Sequence, residues 1–347
     1  MNEILDECLN DLASRIDEAQ EQRKHKEWES FLDGNCRDEI FVPSKREPSP
    51  AKVEWPSVSM NRAFDDFDAM LLHQFRGMSD HLVVGGGSPL VVRCNYGSSI
   101  IPSLFGVDLF MMAEDQNTLP TSHPLQSSDA IRKLVDAGLP DVQSFLGSKV
   151  FEAAGLFLEA LEKYPVLQRN MDLYHPDTQG PIDIAEVVWG SNMFYAFGDE
   201  PELVNEFMHL ATNTYIAFLR RWFNMVPRTR DWSYHWTMAH KGSVMLRNDS
   251  LMNLSPEIYT EFVRPFDQRI LDEFGGGAIH FCGRGDHFIE AMSQMQGLHA
   301  INVAQPHLNN MTAIFSSTVD KQIKLVGIPR SGVESADRSL RGQVQSS

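Results

Sequence analysis

Basic residues are scarce in this sequence, and their scarcity excludes two classes of partner. Lys and Arg number 30 against 47 Asp and Glu, so the formal net charge is −17 at pH 7. Nucleic-acid binding requires clustered positive charge, and contact with anionic lipid requires a polybasic segment. We therefore expect neither nucleic acid nor a membrane as partner. A small-molecule substrate is still expected, because a local arginine pocket can exist in an acidic protein.

Cysteines and long apolar runs are also few. The four cysteines, Cys8, Cys36, Cys94 and Cys282, lie far apart, and no CxxC pair occurs. A membrane-spanning helix would need a run of about 18 apolar residues, which this sequence lacks. The polar residues 1–11 have no apolar stretch typical of a signal peptide. These absences predict reduced thiols in a cytoplasmic protein.

Three common catalytic signatures are missing as well. No GxGxxG follows an early strand, no phosphate-binding P-loop occurs, and no GxSxG supports a serine nucleophile. The sequence therefore gives no support for a dinucleotide-binding fold or a serine hydrolase.

Strand-like and helix-like segments alternate along most of the chain. Residues 1–33 predict an amphipathic helix, in which Leu5, Leu9 and Leu12 recur at helical spacing, and the proline-rich residues 41–58 predict a connector. Helices are predicted at 148–163, 201–222, 256–274 and 287–296. Strands are predicted at 89–98, 175–185, 243–250, 277–285, 297–306, 322–329 and 340–345, with 39–43 as an eighth.

This order predicts an α/β fold with a parallel sheet covered by helices. Eight strands fit a closed (β/α)8 TIM barrel better than an open sheet. We expect an N-terminal helical extension over residues 1–58 and the barrel over residues 59–347. The N-terminal helix either covers the bottom of the barrel or forms the contact of a homodimer.

Polar residues cluster where the predicted strands end, which is where barrel enzymes carry their chemistry. We predict Arg247 and Asp249 as catalytic, because they share one face of a strand; a local ion pair is the alternative. The predicted substrate contacts are Asn95, Tyr96, Gln179, Arg284, Gln305 and His235. His235 lies in "WSYHWTMAH" (232–240), which is typical either of a pocket wall for a flat ligand or of a packed loop.

The segment "GAIHFCGRGDH" (277–287) contains the most specific pair. Side chains two apart on a strand point the same way, so His280 and Cys282 face one side and Phe281 faces the other. Imidazole and thiolate are zinc ligands, and Gly283 and Gly285 leave room for close approach. Ordinary packing of a buried His and Cys is the alternative.

A longer stretch containing this pair resembles the uroporphyrinogen decarboxylase superfamily. The similar segments are "NDSLMNLSPEIYTEFVRPFDQRILDEFGGGAIHFCGRGDHFIEAM" (248–292), "NYGSSIIPSLFG" (95–106) and "DTQGPIDIAEVVWG" (177–190). The resemblance covers roughly residues 60–330. It implies a TIM barrel related to haem-pathway decarboxylases and to zinc-dependent methyltransferases that act on corrinoid proteins and thiols.

The methyltransferase branch would make His280 and Cys282 zinc ligands. Its third ligand is a cysteine near the end of the barrel, and no cysteine follows Cys282 here. Cys94, His307 and Asp249 are the candidate replacements. The decarboxylase branch has an N-terminal RQAGR-type motif and an acid after an early strand, whereas the matching stretch here reads "RCNYGSS" (93–99).

Three functions follow from these features. The first is a methyltransferase that moves a methyl group between a corrinoid or other donor and a zinc-held thiol, with a corrinoid protein as candidate partner. The second is a metal-free decarboxylase that holds a carboxylated substrate with Arg247, Arg284 and Arg330 and uses Asp249 for proton transfer. The third is a non-catalytic barrel that binds a small ligand or a corrinoid protein.

Overall fold

The computed structural model describes residues 2–334 and 336–346 and shows a mixed α/β fold. The strands are β1 (Ile40–Phe41), β2 (Val91–Val92), β3 (Asp108–Phe110), β4 (Thr121–His123), β5 (Asp172–Leu173), β6 (Trp232–His235), β7 (Met238–Lys241), β8 (Val244–Arg247), β9 (Gly277–Phe281), β10 (Leu298–Val303), β11 (Lys324–Ile328) and β12 (Val344–Ser346).

Helices separate most of these strands. They are α1 (Glu3–Arg15), α2 (Glu18–Leu32), α3 (Met60–Asp65), α4 (Phe67–Val84), α5 (Ile100–Ser103), α6 (Ser128–Ala137), α7 (Phe145–Lys163), α8 (Pro165–Asn170), α9 (Pro181–Trp189), α10 (Met193–Asp199), α11 (Pro201–Met225), α12 (Pro256–Phe262), α13 (Arg264–Phe274), α14 (Ile289–Met292), α15 (Met311–Ser317) and α16 (Ser331–Glu334). In the described part of the chain, none of them combines the length and apolar character needed to cross a lipid bilayer.

The main sheet is parallel and has the order β1-β12-β11-β10-β9-β8, and β2 pairs in parallel with β5. The first strand of the chain therefore pairs with the last. The Gly180 N–H, which follows β5, donates to the Arg247 carbonyl at the end of β8 (2.7 Å). This order is the one that an eight-stranded barrel requires. The backbone hydrogen bonds of the described residues join these strands into two separate parallel sheets. Closure of the barrel therefore stays a prediction.

Two local predictions were wrong for identifiable reasons. Residues 1–33 form two helices, because Ile16 is extended and the Asp17 side chain accepts from the N–H groups of Ala19 and Gln20 to start α2. The strand-like piece predicted within 175–185 is the start of α9. Pro181 occupies the first turn of that helix, where its missing N–H costs nothing, and the strand lies earlier, in β5.

Two helix boundaries also differ from the prediction. Ser255 caps α12 and Gly275 ends α13 in the left-handed region, which confirms the outer bounds of the helix predicted at 256–274, but that helix breaks at Val263 before Pro265. The helix predicted at 287–296 is shorter in the structure, where α14 starts only after Phe288. The preceding Asp286 does not cap it, because its carboxylate accepts from the Asn310 N–H (2.9 Å).

A β-hairpin fills the inner face of the parallel sheet. Inward-facing residues of successive strands form one apolar cluster with the antiparallel β6–β7 hairpin: Val91, Tyr174, Met245, Ala278, Ala300 and Val326. Strand β7 contacts β9, β10 and β11. The small Ala278 and Ala300 leave room for it. The segment predicted as a pocket wall or packed loop is therefore a buried hairpin that supports the site from below.

Helix α2 covers one end of this inner cluster with Trp28, Phe31 and Leu32. It is anchored by a buried ion pair between Arg46 and Glu21, with Nε–Oε1 and Nη2–Oε2 distances of 2.5 and 2.6 Å. This position agrees with a covering role for the N-terminal segment. The domain division at residue 58 and the homodimer stay predictions.

The Arg46–Glu21 pair gives a stability prediction. The Arg46→Met substitution should lower the free energy of unfolding by about 3–5 kcal/mol, because it leaves the Glu21 carboxylate buried without its partner. Denaturant unfolding followed by circular dichroism measures this loss. The matched control is Arg220→Met at the Arg220–Glu273 pair, whose arginine side chain is 62% exposed; it should cost less than about 1 kcal/mol. Equal losses would contradict the prediction.

Candidate metal centre

Strand β9 places His280 on the inner face of the sheet. Ala278 belongs to the inner cluster, whereas Ile279 and Phe281 belong to the outer core beneath the helices. The Phe281 ring packs edge-on against Phe288, with centroids 5.5 Å apart. His280 has the same parity as Ala278, so its imidazole points inward. The predicted alternation of this strand is confirmed.

Three potential ligand atoms converge at the ends of β8 and β9. His280 Nε2 lies 3.2 Å from Asp249 Oδ1 and 3.4 Å from Cys282 Sγ. The ligand atoms of all three side chains lie within 4.8 Å of one another. Asp249 was one of the candidate replacements for the missing cysteine ligand, and it is the one that stands beside His280 and Cys282.

Asn302 on β10 fixes the orientation of the His280 ring. Its side-chain N–H₂ donates to the Val326 carbonyl (2.6 Å), so its oxygen faces His280 Nδ1 at 2.6 Å. An amide oxygen only accepts, and Nδ1 must therefore carry the proton. In the neutral ring, Nε2 then directs a lone pair at Asp249. In that tautomer Nε2 and Asp249 Oδ1, 3.2 Å apart, direct lone pairs into the same space, which a metal ion could fill.

Asp183, in the first turn of α9, positions Asp249. Its carboxylate accepts from the backbone N–H groups of Asp249 and Ser250, at 2.8 Å each. Asp249 Oδ1 in turn accepts from the Cys282 N–H (3.0 Å). Close approach of the segment before α9 to the end of β8 also requires Gly180, where an added Cβ would lie 1.9 Å from Asn248 Oδ1. The sequence analysis missed Asp183, because helix α9 was not predicted there.

The charges of these groups are set by burial and by one another. Burial alone would raise the pKa of Asp249, but the hydrogen bond and charge of His280, the contact with Cys282 and the charge of Arg247 hold that pKa below its usual value. Burial, followed by the charge of Asp249, raises the pKa of Asp183 to about 7. The Cys282 thiol has its pKa raised to about 12, first by burial and then by Asp249. Without a metal ion, Cys282 is therefore a thiol.

The donor set fits zinc. Imidazole, thiolate and carboxylate are its usual ligands, and three protein ligands leave a fourth position free, as in catalytic zinc sites. Ligands about 2.0–2.3 Å from a tetrahedral zinc lie roughly 3.3–3.7 Å from one another. The observed 3.2 and 3.4 Å separations from Nε2 are close to this range. Asn302 supplies the outer hydrogen bond that orients a ligating histidine.

A second charged cluster adjoins the triad of Asp249, His280 and Cys282. Arg247 Nη2 lies 3.9 Å from Asp249 Oδ2, and its Nη1 lies 3.2 Å from Asp177 Oδ2. Arg93 also pairs with Asp177 Oδ2. Burial would raise the pKa of Asp177, but the charge of Arg93, the contact with His235 and the charge of Arg247 hold that pKa well below its usual value. The carboxylate is therefore ionised and shared by two guanidinium groups.

The tip of the buried hairpin lies beneath both clusters. The Trp236 ring meets His280 edge-on at 5.0 Å, and the Arg247 guanidinium lies 5.1 Å from the centre of the same ring. The Trp236 indole N–H donates to Asp177 Oδ1 (3.2 Å). Trp236 has φ +50°, a conformation that bulky residues adopt at a cost of about 1–3 kcal/mol. Such strain is typical of functional sites.

The loop after Cys282 is held by residues that follow β10. The Gly283 N–H donates to Gln305 Oε1 (2.6 Å), and the N–H groups of Gly285 and Asp286 donate to Asn309 Oδ1. Arg284 pairs with Asp286 and is 66% exposed. Gln305 thus orients the backbone beside Cys282. The roles of Gln305 and Arg284 in substrate contact stay predictions.

The other predicted site residues are all buried. Gln179 lines a cavity of about 200 Å³ together with Asp183 and Asp249. His235 is fully buried, with Nε2 3.5 Å from Asp177 Oδ1. Tyr96 is buried and its ring packs against Phe64. Asn95 is buried, and its side-chain oxygen has no hydrogen-bond partner in the described residues. Their roles as substrate contacts stay predictions.

Two candidate ligands lie elsewhere. Cys94 is in the outer core with Val92, because strand alternation gives the inward positions to Val91 and Arg93. His307 is exposed and does not join a group of metal-ligand side chains in the described residues. Alternation along β2 indicates that Arg93 faces inward together with Val91, and the sequence analysis missed this signal.

Comparisons with known proteins support the fold and do not identify the chain. No family model matches the sequence, and no curated protein matches it. Sixteen chains of solved structures are similar. One is a methyltransferase from Methanosarcina mazei, which is 14% identical, with a TM-score of 0.62 over 91% of this chain and 90% of that one. At this identity the similarity shows the fold alone.

The Asn302 contact gives a test that needs no metal. Asn302→Leu removes the acceptor for the Nδ1 proton, so we expect the neutral His280 ring to shift toward the tautomer protonated at Nε2. The ¹⁵N chemical shifts of His280 report this change. Asn302→Asp keeps an acceptor and should keep the original tautomer. Unchanged His280 shifts in Asn302→Leu would show that Asn302 does not fix the ring.

Proposed function

We propose that this chain is a zinc-dependent methyltransferase of the uroporphyrinogen decarboxylase superfamily, built on a closed (β/α)8 barrel. The observation that carries the proposal is the convergence of Asp249, His280 and Cys282, whose ligand atoms lie within 4.8 Å of one another at the ends of two parallel strands. The similarity in fold to a protein named methyltransferase supports it. The reaction is transfer of a methyl group to a thiol.

Asp249, His280 and Cys282 would hold the metal and leave one position for the substrate sulfur. Zinc, when bound, lowers the pKa of a thiol and holds it as a nucleophilic thiolate. The substrate thiol must lose a proton on binding. Asp183 lines the adjoining cavity beside Asp249, and in this proposal its carboxylate accepts that proton.

Arg247 and Trp236 orient the substrate in this proposal. The arginine lies between Asp249 and Asp177, and the indole lies against both Arg247 and His280. The methyl donor is a corrinoid or another activated methyl compound. A corrinoid protein is the proposed partner, and free methylcobalamin is its simplest substitute in an assay.

Metal analysis tests the proposal directly. The purified protein should contain about one zinc per chain, and zinc should be required for demethylation of methylcobalamin by added thiols, followed by the change in corrinoid absorbance. Cys282→Ser and His280→Gln should lose the zinc and the activity. Cys36→Ser is the matched control and should keep both. Trace zinc together with unchanged activity in Cys282→Ala would remove the proposal.

The protonated state of Cys282 predicts how zinc binding depends on pH. Its pKa is about 12, so zinc must displace a proton from the thiol throughout the neutral range. Each unit of rising pH should therefore strengthen zinc binding about tenfold, measured by competition with a chelator. Cys282→Asp offers an ionised carboxylate instead and should show a flatter dependence. Equal slopes in the two proteins would contradict this ionisation state.

A metal-free decarboxylase is the second candidate, and a specific observation favours it. Arg247 lies 3.9 Å from Asp249 and shares Asp177 with Arg93, so a substrate carboxylate could be held by arginine beside Asp249, which would transfer the proton. Carbon dioxide release from porphyrinogens and small aromatic acids, measured with chelator present, tests this function. The non-catalytic barrel loses its main support, because Asp249 stands where a third ligand is needed.

A further inference from the structure

Helix α13 buries an acid among apolar residues. Phe266, Ile270 and Leu271 of this helix belong to the outer core. Asp267 lies beside them and is 0% exposed. Its Oδ1 atom has no hydrogen-bond partner among the residues that the structure describes. A leucine at this position would avoid the cost of burying a polar group, so stability alone does not explain the acid.

Asp267 is neutral in this environment. Burial raises its pKa well above the usual value, the hydrogen bond from Asn248 opposes this shift, and the negative charge of Asp183 adds to it. Neither of these two neighbours is a cation that could hold the carboxylate ionised. Asp267 therefore acts as a hydrogen-bond partner and not as a charge.

A hydrogen bond of the Asp267 side chain leads toward the candidate metal centre. Asn248 Nδ2 donates to Asp267 Oδ2 (2.7 Å), and Asn248 immediately precedes the candidate ligand Asp249. The backbone N–H of Asn248 donates to the His280 carbonyl (2.9 Å). Asn248 is thus fixed by its side chain to α13 and by its backbone to β9.

Asn248 also lies against the segment that begins α9. An added Cβ at Gly180 would lie 1.9 Å from Asn248 Oδ1 and 3.0 Å from its Cγ, so the side chain has no free space on that side. Alternation along β8 directs Met245 and Arg247 inward and Asn248 outward, toward the helices. Asn248 is therefore enclosed between α13 and the start of α9, and its position determines where the chain turns inward again at Asp249.

We propose that Asp267 and Asn248 are positioning residues of the candidate metal centre. The bond between their side chains holds the end of β8 so that Asp249 Oδ1 lies 3.2 Å from His280 Nε2 and accepts from the Cys282 N–H (3.0 Å). Without that bond, the Asn248 N–H₂ group would be buried without an acceptor, and the turn at Asp249 would move to satisfy it. The assignment of this role to a zinc site rests on the proposed function.

The metal-free protein tests the positioning role first. The chemical shift of the Cys282 amide proton reports its hydrogen bond to Asp249 Oδ1. Asp267→Leu should shift this proton upfield, because Asp249 moves away from it. Asp267→Asn keeps an acceptor for the Asn248 N–H₂ group and should restore the wild-type shift.

Zinc binding gives the second readout. Zinc affinity, measured by competition with a chelator, should fall roughly 10- to 100-fold in Asp267→Leu and should be restored in Asp267→Asn. Cobalt in place of zinc should show an altered ligand-field spectrum in the leucine variant alone. The matched control is Asp272→Leu on the same helix, where an exposed carboxylate accepts from Gln268 Nε2 (2.7 Å). This control should keep both the Cys282 amide shift and the zinc affinity of the wild type.

A double variant separates positioning from stability. Asn248→Leu/Asp267→Leu removes both polar groups, so its free energy of unfolding should equal or exceed that of the wild type. The Cys282 amide should nevertheless shift upfield, and zinc affinity should fall as in the single variant, because the end of β8 has lost its anchor. The double variant also takes the place of Asp267→Leu if the single substitution prevents folding.

Three outcomes would overturn the positioning role. They are an unchanged Cys282 amide with unchanged zinc affinity in the folded leucine variants, an equal loss in Asp272→Leu, and a loss in Asp267→Asn as large as in Asp267→Leu. Failure of the proposed function has a different signature. A wild-type protein that binds no zinc, with the Cys282 amide still shifted in Asp267→Leu, would leave the positioning role standing.

Discussion

The buried carboxylate of Asp177 is the interaction on which the site depends most. A charge in the interior is tolerated only when partners compensate for its lost hydration. Asp177 meets this requirement with Arg93 from the end of β2, Arg247 from the end of β8 and the indole N–H of Trp236 at the tip of the hairpin. The Asp177 carboxylate thus connects the end of β2 with the end of β8. These strands belong to separate sheets, and few backbone hydrogen bonds connect the two sheets.

From Asp177 the charges alternate toward the metal centre. Arg247 lies between Asp177 and Asp249, and Asp249 lies between Arg247 and His280. Each neighbour favours the charged form of the next, so the carboxylates stay ionised although they are largely buried. The same negative charge opposes ionisation of Cys282, whose pKa is about 12. A cation between these side chains would offset the repulsion between their lone pairs and lower the pKa of the Cys282 thiol. The arrangement therefore favours a bound cation.

Sequence periodicity was sufficient to predict the parts of the site that lie on single strands. The inward facing of His280 and Arg247 follows from alternation along β9 and β8, and Cys282 and Asp249 lie just beyond the ends of those strands. Residues brought in from separate segments were not predictable in this way, because no local pattern reports a long-range contact. Asp177 lies in a polar turn and Trp236 in a hairpin whose burial inside the sheet depends on small residues of β9 and β10.

The buried hairpin limits the depth of the inner space at the level of the candidate metal centre. In α/β folds with a parallel sheet, ligands bind at the carboxyl ends of the strands, and the residues beneath them limit how deeply a ligand can enter. Here Ala278 and Ala300 admit β7 into the interior, and the hairpin brings Trp236 to the level of His280. A ligand therefore meets an indole ring at the depth of the candidate metal centre.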